Sequence, residues 1–110
     1  MSVRICKLMA ALLLLSFLLP VAVLAHKVNI FAYTDAGTVY SESYFPDGRP
    51  VDSGKVQVYD RTEQLLLEGQ TDKQGLFQFE LPKVDDLILE IDAGMGHKNR
   101  FQLKKTAINE

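Results

Sequence analysis

From Lys27 onward the chain keeps apolar residues at every second position in short runs, each cut by Gly, Pro, Asp or Asn. A period of two is that of a strand with one buried face, and short strands spaced by turn residues make a sandwich or a barrel. No stretch of this part holds helical spacing. Lys55–Asp60 alternates most cleanly, with Val56 and Val58 opposite Lys55, Gln57 and Tyr59. Lys27–Thr34 sets Val28, Ile30 and Ala32 against Phe31 and Tyr33, and Thr38–Phe45 follows after Asp35-Ala36-Gly37. Pro46-Asp47-Gly48-Arg49-Pro50 is a turn in which Pro presets φ and Gly supplies a positive one. Leu65–Gln70 reads as the next strand, and Asp72-Lys73-Gln74-Gly75 as a hairpin-type loop. Beyond it Phe77, Phe79 and Leu81 face one way, then Leu87, Leu89 and Ile91 point inward, and Phe101 and Leu103 line a last strand. The expectation is an all-β, seven-stranded, Ig-like β-sandwich. One domain is the only sensible count for 110 residues. It spans 26–105, with 106–110 as a flexible tail.

The first 25 residues follow another plan. Arg4 and Lys7 precede an apolar run from Leu8 to Leu19, and Pro20 leads to Val23-Leu24-Ala25. Basic start, apolar middle and small-residue exit are the parts of a secretory signal peptide cut after Ala25. Uncut, the apolar segment only just reaches the ~17–25 residues of a membrane-spanning helix and would act as an anchor. The expected location is periplasmic or extracytoplasmic, tethered to the inner membrane if the signal stays. Cys6 is the only cysteine and lies in this leader, so the exported part can form neither a disulfide nor a thiolate metal site. The whole chain carries a charge of −2, and losing Arg4 and Lys7 makes the remainder more acidic. Without a basic cluster there is no electrostatic footprint for nucleic acid.

Cleavage after Ala25 would leave histidine at the N-terminus. The α-amine and Nδ1 of His26 can then close a six-membered chelate ring on one metal ion. Nitrogen and oxygen donors in a tetragonal array suit Ni²⁺ or Cu²⁺. His97 is the only other histidine and follows Asp92-Ala93-Gly94-Met95-Gly96. The expected metal ligands are His26, His97 and Asp92, with water or a partner protein completing the shell. First and last strands running side by side in parallel would bring the two histidines to one end, and Gly94 and Gly96 would allow a close backbone approach. Binding must displace a proton from an amine of pKa ~7.7–8.0, so affinity should fall below neutral pH. The plainer readings are a strand-edge His97, an ordinary turn at Asp92–Gly96 and a packed Met95. Tyr33, Tyr40, Tyr44 and Tyr59 read as sheet-face packing, and Asp85-Asp86 as a solvated loop. No nucleophile triad, P-loop or dinucleotide fingerprint is present, and an enzyme is not expected.

Two resemblances extend this reading. Gly54–Asp60 together with Thr71–Pro82 resembles the carboxypeptidase regulatory-like domain, which implies a transthyretin-like sandwich without catalysis of its own. Ala25–Tyr33 together with Asp92–His97 resembles the small extracytoplasmic accessory component of nickel/cobalt energy-coupling-factor transporters. That implies a metal-uptake accessory protein whose partner is the transporter's membrane-embedded substrate-binding subunit. The competing functions are a periplasmic copper-binding carrier, which a single methionine after the leader argues against, and a purely structural interaction module.

Overall fold

Asp35 and Thr38 face each other across the tightest turn of the chain, with Ala36 (φ 49°) and Gly37 (φ 82°) between them. Positive φ at both central residues matches the right-handed twist of the strands they join, so the turn fixes the register of the first hairpin. The computed structural model describes residues 27–109. The leader, its cleavage junction and His26 lie outside the described residues, as does Glu110.

Seven strands form: β1 (Asn29–Asp35), β2 (Thr38–Tyr44), β3 (Lys55–Asp60), β4 (Leu65–Gln70), β5 (Leu76–Glu80), β6 (Leu87–Asp92) and β7 (Lys98–Leu103). They make a three-stranded sheet, β1-β2-β5, and a four-stranded sheet, β4-β3-β6-β7. Every pairing is antiparallel. The expected all-β sandwich is therefore what the chain forms. The alternation read from sequence sets its core: Val56, Val58, Leu87, Leu89, Ile91 and Leu103 meet Ile30, Ala32, Val39 and Phe79 between the sheets. Burial of such apolar surface, at roughly 25 cal/mol per Å², is the main favourable term available to a domain without disulfides.

One local expectation is corrected. The Asp72–Gly75 turn does not close a hairpin, because β4 and β5 belong to different sheets. Asp72 Oδ1 accepts the amides of Gln74 and Leu76 at 2.8 and 2.9 Å, which bends the chain over the sandwich edge. Gly75 (φ 77°) is required there, since a Cβ would strike the Ser43 carbonyl. As expected, β1 and β7 lie side by side, though without backbone pairing. They run in the same sense along one side of the sandwich, as Val28 meets Asn99 and Phe31 meets Phe101, but each is the edge of its own sheet. Beyond β7 the chain makes further contacts with the sandwich as far as Asn109. Lys105–Ala107 forms a 3-10 turn, Ile108 packs against the core, and the Asn109 amide donates to Thr34 Oγ1 at 2.6 Å.

Candidate metal centre

The β6–β7 connection is built around Asp92. Its backbone pairs with Lys98, and its Oδ1 accepts the Gly94 amide at 2.9 Å, an Asx turn that starts the loop. The Ala93 amide donates to the His97 carbonyl at 2.8 Å, and the His97 amide to the Gly94 carbonyl at 2.9 Å. Met95 (φ 53°) and Gly96 (φ 82°) occupy the two central turn positions, both left-handed. Gly96 adopts this freely; Met95 does so at a cost of roughly 1–2 kcal/mol.

Strand alternation then separates the side chains. Asp92 falls on the outer face of the four-stranded sheet with Lys98, whose Nζ lies 3.8 Å from its Oδ2. His97 turns the other way, half-buried, with its ring edge-on to Phe45 at a centroid distance of 6.3 Å. The carboxylate of Asp92 thus shapes the loop that carries His97 and does not point towards its ring. Met95, read as a packed side chain, is 99% exposed at the loop tip.

The β2–β3 turn supplies the facing wall. The Arg49 amide and guanidinium donate to Asp47 at 3.0 and 2.7 Å and hold its carboxyl below the ordinary value, the amide contributing most. The same guanidinium sits 5.1 Å over the Phe45 ring. Between this turn and the β6–β7 loop lies a cleft of about 310 Å³, with Phe45, Arg49, Met95 and His97 among its walls. Phe45 and Arg49 were not singled out from sequence. The Pro-Asp-Gly-Arg-Pro pattern announces a turn, and nothing in it says which loop that turn will face.

The start of β1 comes to this same end. Asn29 is paired with Tyr44, next to Phe45. Asn99 Nδ2 donates to the Val28 carbonyl at 2.8 Å, so the strand that follows His97 is bound to the residue just before β1. His26, two residues earlier, is outside the described residues. Among the described residues no three His, Cys, Asp or Glu side chains converge, and no helix is long and apolar enough to cross a membrane.

No family model matches the chain, and no solved structure does. It is similar to an uncharacterized protein of Haemophilus influenzae, 29% identical over 77 residues that cover 67% of this chain and 48% of the relative. The match spans about half the length of that curated relative.

Proposed function

We propose that this chain is an extracytoplasmic accessory protein of metal uptake. Its cargo is Ni²⁺, with Co²⁺ as the alternative, taken at the end of the sandwich that carries His97 and the start of β1. The observation that carries the reading is the 2.8 Å bond from Asn99 to the Val28 carbonyl. Each histidine lies two residues before one partner of that bond. Chain connectivity alone keeps residue 26 within about 7 Å of residue 28.

The N-terminal amine and the His26 imidazole provide a two-nitrogen chelate, and His97 adds a third nitrogen. Asp92 serves as the organiser of the His97 loop, and a water or the receiving subunit completes the shell. A site that is incomplete in this way suits a carrier, because the membrane-embedded substrate-binding subunit can take the ion by replacing the open ligands. Binding releases protons, so loading is favoured above the amine's pKa of ~7.7–8.0 and weakens as pH falls below it. One observation favours the copper alternative: Met95 lines the same cleft as His97, and a thioether suits Cu(I).

The test starts from the intact mass of the protein recovered from its native envelope, which establishes whether His26 carries a free amine. Ni²⁺ titration of that protein is then compared with His97→Ala, for which a loss of at least tenfold, about 1.4 kcal/mol, is expected. An unchanged affinity removes His97 from the site. A full-length mass removes the chelate. Preference for Cu(I) over Ni²⁺, lost in Met95→Leu, moves the protein to the copper reading.

A further inference from the structure

The outward positions of the three-stranded sheet carry Phe31, Tyr33 and Asp35 on β1, Tyr40, Glu42 and Tyr44 on β2, and Leu76, Gln78 and Glu80 on β5. The rings form a connected platform. Tyr33 stacks on Tyr40 at 5.4 Å and 20°, Phe31 lies 6.1 Å from Tyr33, and Phe101 of β7 meets Phe31 edge-on at 5.4 Å. Yet Phe31, Tyr33, Tyr44 and Leu76 each remain more than 40% exposed. Register places the carboxylates among them: Glu42 stands between Phe31 and Leu76, and Asp35 and Glu80 flank Thr38. Among the described residues none of these three carboxylates is in an ion pair, and no outward position of β1, β2 or β5 is Lys or Arg. A cleft of about 200 Å³ opens at the centre, walled by Tyr33, Tyr40, Glu42, Leu76 and Gln78.

We infer that this face docks a cationic segment of a partner protein, with a Lys or Arg side chain seated in the central cleft. A ring face attracts a cation through its quadrupole and a carboxylate through its charge, so Tyr33 and Tyr40 beside Glu42 favour the same occupant. Size points to a segment. Seven residues at ~3.4 Å and three strands at ~4.8 Å make a patch on the order of 300 Å², well below the ~800 Å² per partner of a standard interface. Charge points away from a second copy. A twofold axis on this face would set Asp35, Glu42 and Glu80 against the same acidic set.

The probe is a fluorescent peptide of alternating Lys and Leu, with its Glu–Leu counterpart as control, titrated onto the full chain by anisotropy. Saturable binding of the Lys peptide alone is expected, weakening as salt rises. Glu42→Lys should weaken it at least tenfold and Tyr33→Ser at least fivefold. Glu68→Lys, the same charge change on the other sheet, should stay within twofold. The proposal is overturned if Glu68→Lys weakens binding as much as Glu42→Lys, since the peptide would then read net charge alone. It is equally overturned if neither peptide binds, or if sedimentation shows a dimer that Tyr33→Ser dissociates, which would make a second copy the occupant.

Discussion

In the four-stranded sheet the inward positions hold Val56, Val58, Leu87, Leu89, Ile91 and Leu103, all at most 2% exposed. Its outward charges are matched with one another: Lys55 with Glu68, Lys98 with Asp92, and Arg100 with both Glu63 and Glu90 while stacked over Tyr59. The three-stranded sheet distributes its residues in the opposite way. Inside it places Ala32, Thr34, Ser41 and Ser43 beside Ile30, Val39 and Phe79, and outside it places most of its rings. The buried hydroxyls need partners. Ser41 donates to the Phe77 carbonyl at 3.2 Å and Thr34 accepts the Asn109 amide, but Ser43 Oγ has no partner among the described residues. The four-stranded sheet pairs its outer charges within itself; the three-stranded sheet leaves Phe31, Tyr33, Tyr44 and Leu76 at the surface, the kind of exposed patch the docking proposal rests on.

The sharpest way to break this contrast is to remove core mass from the four-stranded sheet. Leu89→Ala, at a fully buried position, should cost about 2–5 kcal/mol in urea unfolding. A loss below 1 kcal/mol would mean the core weight lies elsewhere. Arg100→Ala severs both carboxylate contacts on the outer face; the Glu63 pair is solvated and Glu90 is mostly covered, so the expected loss is about 1 kcal/mol. Raising salt in the wild type should reproduce part of it. The smallest effect belongs to the aromatic face: Tyr33→Ser should leave unfolding within about 0.5 kcal/mol of wild type. A larger loss would show that the rings hold the sandwich together and would erase the distinction between the sheets.

Much of the fold was legible because alternation is a direct consequence of strand geometry. Leu65–Gln70 was read with the bounds the strand has, and the inward sets of β3, β5 and β6 followed from period two. The bulge that lets Leu66 slip between the partners of Val58 and Tyr59 was not legible, since it is a property of pairing. For the same reason Asp72–Gly75 was taken for a hairpin: Asx and Gly chemistry specifies a bend and not the sheet that receives the next strand. At the candidate site, the structure joins Val28 to Asn99, while His26, one half of the site expected from sequence, lies outside the described residues. Asp92, expected as an oxygen ligand completing the shell, has the strand phase that sets it on the outer face with Lys98, while His97 turns towards Phe45. Of the four tyrosines expected as sheet-face packing, Tyr33 and Tyr40 stack on one another and Tyr59 lies under Arg100, but single-sequence alternation cannot tell an outer face that is bare from one that is laced with charge.

The open side where β1 runs beside β7 has a mechanical meaning. Two sheets joined by backbone hydrogen bonds only within themselves resemble the covers of a book, and along this fore-edge they are held by side chains: Asn99 on Val28 at one end, Phe101 on Phe31 further along, and the Asn109 amide on Thr34. An ion gripped between the beginnings of the two strands would act as a clasp on that edge. Because it would bind the closed book and not the opened one, its free energy of binding adds to that of folding by mass action. Heat resistance would then rise with metal concentration, and handing the ion onward would unlatch the edge from which it left.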